Sequence, residues 1–227
     1  MGLFDIFKNN KISGPKTAFQ RKEETEKLLR SIDIPINVHL PLIEEENEVR
    51  IRAAQEIAKR ILILTYLNYY LEEPDSKDEV IEFLKSENIW NSVSEIEKEY
   101  FEGELTEQDK VNISWRTEAI WLLLWTIKKV DKLELPIEQV VVGEILSRLS
   151  NFMTDTTDFI EMSELRTTSE ILDIADLTYR LHWAARENDL KKLKPLKIDS
   201  SIVEERHYAI NWVTYYGDNW DEITTDT

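Results

Sequence analysis

The residues of this chain that could do chemistry are charged side chains falling where a helix should be apolar. Placed at about 100° per residue, Ile171, Ile174, Ala175, Leu181 and Ala185 form one arc, with His182 in its middle and Arg186 one turn further on. Asp173, Asp176, Arg180 and Glu187 gather on the opposite side. A second arc, Ile202, Ala209, Trp212, Val213 and Tyr216, contains Glu205 and Arg206, while Glu204, His207 and Asn211 face away. A third, Ala119, Ile120, Leu123 and Ile127, contains Arg116, and Glu118 sits between Leu122 and Trp125. Arg50 falls among Ile57, Ile61 and Leu64, with Glu56 and Arg60 as an i, i+4 pair at that arc's edge.

A lone charge in an apolar interior costs several kcal/mol, so these groups must pair with one another or open onto a cleft. Paired, they form an ion-pair network tying four helices together, with His182 hydrogen-bonded in the core. Open, Arg116, Arg186 and Arg206 could bind a small anion, with Glu118, Glu205 or His182 handling protons and Asp176, Arg180 and Asp221 behind them. The candidate cluster is therefore Arg116, Glu118, Asp176, Arg180, His182, Glu205, Arg206 and Asp221.

Other chemistries find little support. Glu204 and His207 have the Glu-x-x-His spacing of di-iron bundles, but His182 follows Tyr179 and His39 follows Ile36, so the second half of such a site is missing. There is no Cys, no HExxH, no phosphate-cradling Gly loop and no nucleophile elbow, and the chain has only five Gly. No metal or cofactor is expected.

The elements that must position the cluster read as helices. A helix is expected over Lys16–Ile32, followed by an extended stretch enforced by Pro35 and Pro41. The longest helix is expected from Glu44 to about Leu71, ending near Pro74. Shorter ones follow at Ser76–Ser86 and Ser92–Phe101, each opened by a capping Ser. Asn112 to about Asp131, rich in Trp and Leu nearly all round, is expected to lie at the centre of the fold. Pro136 is expected to open a helix to about Ser150, Thr154–Met162 one or two turns, and Thr168 to about Asp189 a strong helix. Ser201 is expected to cap a last helix that Gly217 stops, with Trp220 pinning the tail back onto the body. The fold class is all-α, about eight to nine helices around the Trp- and Leu-rich one, with residues 15–227 as a single domain behind an apolar and basic arm at 1–14.

Apolar residues make up 42% of the chain and include 7 Trp, enough for a sizeable core. The formal net charge is -17, and it is unevenly spread: residues 1–30 hold seven Lys or Arg against four acids, the remainder 21 against 41. So acidic a body repels phosphate backbones, which argues against nucleic acid as a partner. It favours solubility and fast capture of a basic protein. The absence of Cys suits a reducing compartment, and the opening MGLFDIFKNN is no secretory signal, so a cytoplasmic location is expected. The apolar run Ile61–Leu67 is too short to cross a bilayer.

The stretches EVRIRAAQEIAKR, WRTEAIWLLLW, ILDIADLTYRLHWAAR, VEERHYAINWV and NWDEITTDT together resemble the bacterial family of domains of unknown function numbered 4272, from about Arg21 onward. The resemblance places the family's signature on Arg50, Glu56, Arg60, Trp220 and all eight residues of the candidate cluster. It implies an all-α fold and a bacterial origin but no activity. One departure is that LLWTIKKV lacks the Gly expected soon after the Trp, which bears on the end of the central helix. The expectation for function is a binding protein with an acidic surface, such as an immunity-type antagonist of a basic protein. The alternative is an enzyme or small-anion binder built on the Arg, Glu and His cluster.

Overall fold

Helix starts in this chain are written largely in capping chemistry. In the computed structural model, which describes residues 16–149, 152–192 and 194–227, four helices open with a reciprocal capping box. Thr17 and Gln20 open α1 (Ala18–Ser31), Ser94 and Glu97 open α4 (Glu95–Glu102), Thr106 and Asp109 open α5 (Glu107–Thr126), and Thr167 and Glu170 open α8 (Thr168–Leu190). The others are α2 (Ala54–Glu72), α3 (Lys77–Ser86), the single turns α6 (Val142–Leu146) and α7 (Thr157–Glu161), and α9 (Ser200–Val213). The protein is all-α, and no strand occurs among the described residues. The expected arm at 1–14 lies outside them.

Helix α5 is the axis. Leu122, Leu123, Leu124 and Trp125 are fully buried, so the carboxyl-terminal end of this helix is apolar all round because neighbours cover every side. It packs on α2 and α9, α9 packs on α8, and α8 on α1, and one continuous apolar core runs through all five. Among the described residues no helix is long and apolar enough to cross a membrane.

Several boundaries differ from the expectation, each for a visible reason. The long helix begins at Ala54, not Glu44, because Ala53 is extended and the Arg52 amide donates to the Val213 carbonyl at 3.0 Å. Pro136 does not open a helix. Its carbonyl accepts from Asp199 N at 2.7 Å and the Val140 amide donates to Glu118, which holds 136–140 as a strap. Asp199, not Ser201, caps α9, accepting from the amides of Ser201 and Ile202. Ser76 makes no side-chain cap for α3, and Ser94 takes the role expected of Ser92. Gly217 does not stop α9 with a left-handed turn, because the residue with positive φ there is Tyr215, at 57°.

The central helix starts five residues earlier than expected and ends at Thr126, with Lys128 left-handed at φ 60°. This is the stretch where the family resemblance leads one to expect Gly. A Cβ in that region costs on the order of 1 kcal/mol, and the Lys128 side chain makes only an exposed pair with Glu164. Lys128→Gly should therefore raise the thermal midpoint by about 2–4 °C; a lower midpoint in a thermal melt would contradict this.

Candidate functional site

The charges singled out on the apolar arcs, Arg186 excepted, are each held by a partner, and they divide into separate groups. Glu118 on α5 is fully buried, and Arg206 on α9 is 5% exposed. Arg206 Nε and Nη2 both reach Glu118 Oε2 at 3.0 Å. The other ends of the pair are satisfied by backbone: the Val140 amide donates to Glu118 Oε1 at 2.6 Å, and Arg206 Nη1 donates to the Glu134 carbonyl at 2.6 Å. One ion pair thus joins α5, α9 and the strap at 134–140.

Asp176 and Arg180, one turn apart on α8, form a two-pronged pair, Nη2 to Oδ1 at 2.7 Å and Nε to Oδ2 at 2.9 Å. They were expected on an outward face, yet both are buried, because the 41–44 segment covers that side and Arg180 Nη2 also donates to the Pro41 carbonyl at 3.2 Å. His207, expected to face away, is likewise buried and meets His182 at 2.9 Å between the two Nδ1 atoms. Arg186, by contrast, is exposed.

The remaining candidates meet at the carboxyl-terminal segment. Arg116 on α5 pairs with Glu205 on α9 at 3.0 Å and lies 4.3 Å from the Tyr208 ring centroid and 5.5 Å from that of Trp220. Burial pushes the Glu205 carboxyl up, and Arg116 opposes it. Asp221 is an outside cap for α4, accepting from Ser94 Oγ at 2.6 Å and from the Ile96 amide at 3.0 Å. The Tyr208 hydroxyl, pushed up to about 12 by burial, donates to the Trp220 carbonyl.

Sequence reasoning missed the neighbours of this group. Arg60 pairs with Glu97 of α4, at 2.7 Å to Oε1, and not with Glu56 as expected; its guanidinium lies 4.9 Å from the Trp220 ring centroid and 5.6 Å from that of Trp212. Arg52 donates to the carbonyls of Trp212, Gly217 and Asp218 and lies 4.4 Å from Trp212 and 4.0 Å from Tyr215. Arg50, off the helix, covers the same Tyr215 ring at 4.1 Å. Arginines and aromatic rings therefore alternate from Tyr215 through Arg52, Trp212, Arg60, Trp220 and Arg116 to Tyr208. The spacing of Tyr208 and Trp212 on α9, followed by Tyr215 just past its end, was the one signal for this in the sequence.

Beside this ladder lies a cleft of about 590 Å³, within the size range of small-molecule sites. Its cations are already engaged: Arg52 by three carbonyls, Arg60 by Glu97 and the Ser92 carbonyl, Lys98 by Glu95. Glu56, Glu95, Asp218, Asp221 and Glu222 also line it, so an anion entering would meet more negative charge than positive.

Two predictions follow from the buried groups. Glu118→Leu leaves Arg206 with an uncompensated charge and should cost about 3–5 kcal/mol, while Glu118→Leu with Arg206→Leu should cost clearly less. Equal urea midpoints for the single and double variants would contradict the pairing. The histidines predict a pH effect. Burial, and then Arg186, holds His182 down at about 4; burial, and then His182, holds His207 down at about 3. Both rings stay neutral in the folded chain while the unfolded chain takes up protons near pH 6.5. Stability is thus complete above pH 6.5 and is lost as pH falls toward 4, on the order of 1 kcal/mol per histidine per pH unit. Urea unfolding across this range should show the loss in the native chain and a shallower one when both are Gln; equal slopes would contradict it.

No curated protein and no solved structure matches the chain. A family model described as a domain of unknown function, DUF4272, matches residues 21–223, and the chain belongs to that family.

Proposed function

We propose that this protein is a binding protein that captures a basic protein partner, in the manner of an immunity protein, and performs no catalysis of its own. The observation that carries the reading is that the candidate acids, bases and arginines are engaged with one another or with backbone. The pairs Glu118–Arg206, Asp176–Arg180 and Arg116–Glu205 and the capping role of Asp221 commit these charges to the fold. Neither histidine carries charge near neutral pH, so no imidazolium is at hand for a developing anion.

The surface supports the same reading. The net charge of -17 steers cations toward the chain from a distance. Ile137, Val141, Val142, Leu146 and Phe152, all exposed, fall within sixteen residues of sequence. Val142, Leu146 and Phe152 border a largely apolar groove of about 310 Å³ between α2, α5 and α6, with Glu72 and Glu73 on its rim. Apolar anchoring inside an acidic frame suits a partner that presents apolar residues among Lys and Arg. The reducing cytoplasm is the setting that fits a chain without Cys.

The test is affinity capture from cells of the source organism at low and moderate salt, with the native chain and with Glu72→Lys, Glu73→Lys, Val141→Ser, Leu146→Ser. The native chain should retain a basic protein that is released as ionic strength rises, and the fourfold variant should not retain it. Recovery of no basic partner at either salt, or retention indifferent to both salt and the substitutions, would overturn the reading.

A further inference from the structure

A second cavity, of about 350 Å³, lies between the 41–44 segment and the faces of α8 and α9. We propose that it binds a small neutral molecule with an apolar body and a single hydroxyl group. The site is separate from the acidic docking face and does not depend on it.

The polar end of the cavity is the histidine pair. His207 lines it, is 3% exposed, and has its Nδ1 held by His182 at 2.9 Å. A contact between two Nδ1 atoms needs one proton, since two would repel and none would leave no donor. One ring therefore carries its hydrogen on Nδ1 and has a bare Nε2, and the other has a bare Nδ1 and carries its hydrogen on Nε2. The pair is a two-ring relay whose outer nitrogens are one donor and one acceptor. Passing the proton across the central contact, with a matching exchange at the ends, swaps those roles. A hydroxyl can donate or accept, so it satisfies His207 Nε2 in either tautomer, which a carboxylate or an ammonium group cannot do.

The charge around the cavity disfavours an anion. No Lys or Arg lines it, while Glu44 and Asp226 do. Arg180, close behind the Pro41 carbonyl, is neutralised by its pair with Asp176, although its Nη1 has no hydrogen-bond partner. An anion would thus meet two carboxylates and the neutral imidazole of His207. Asn211 gives its Nδ2 to the Thr224 carbonyl at 2.9 Å, which fixes it at the wall with Oδ1 as a further acceptor.

Apolar and polar surface share the rest of the cavity. Leu172, Ala175, Tyr179 and Tyr216 supply the apolar part together with Leu42 and Ile43 of the 41–44 wall. The bond from Arg180 to Pro41 holds that wall in place, so the cavity is preformed.

The experiment titrates the full chain with para-cresol, toluene and para-toluate while following the ring nitrogens of His182 and His207 by long-range proton–nitrogen NMR. Para-cresol should move the His207 Nε2 resonance saturably. Toluene, lacking the hydroxyl, should bind about tenfold more weakly, and para-toluate more weakly still. Leu42→Trp fills the mouth from a position 48% exposed, where the fold does not depend on it, and should abolish binding. Toluene binding as tightly as para-cresol, a His207 signal unmoved by para-cresol, or binding unchanged in the Leu42→Trp chain would each overturn the proposal.

Discussion

The structure depends on how Trp220 is held. This ring sits between two arginine guanidiniums, Arg60 from α2 and Arg116 from α5, and makes edge contacts with Tyr208 and Trp212 of α9. The next residue, Asp221, closes the amino-terminal end of α4. One short segment after the last helix therefore touches four helices, α2, α4, α5 and α9. Each cation over a ring is worth about 0.5–2 kcal/mol depending on its exposure, and each guanidinium also pairs with a carboxylate from a further element. The energy is spread over many contacts, but their geometry is shared: displacing the ring would unseat both arginines at once.

This constraint explains why charge can sit inside so apolar a fold. A buried ion pair contributes little net stability compared with an apolar pair of the same shape. It does penalise every arrangement in which its partners are separated. Glu118–Arg206 sets the register of α5 against α9 and anchors the strap at 134–140, and Asp176–Arg180 fixes the 41–44 segment on α8. These pairs are orientation devices within the core, and the end of α5 can be apolar on every side because they fix how its neighbours sit.

The fold class and the central helix were legible because burial imposes a 3.6-residue period and a Trp- and Leu-rich all-round pattern on α5. The charges in the arcs were legible as anomalies for the same reason. Their partners were not, because the helical period says which face a side chain lies on and nothing about which helix covers it. Arg60 therefore read as a neighbour of Glu56, although its partner is Glu97, 37 residues further on. His207 and Asp176 read as outward because a helix wheel presumes one buried face, and here the 41–44 segment and the neighbouring helix cover a second. The start of α2 was missed because residues 44–53 keep a helical apolar period while the Arg52 backbone and side chain are both held by the end of α9 and the segment after it.

The most direct test of the clasp is amide hydrogen exchange in the native chain and in Arg60→Met, which keeps the length of the side chain and removes its charge. If the ladder holds the structure together, the amide of Ile96 and those of 220–223 will lose protection together, while the centre of α8 stays protected. If those amides exchange as slowly in Arg60→Met as in the native chain, the arginines only decorate a tail that packing alone secures, and the account is wrong at its centre.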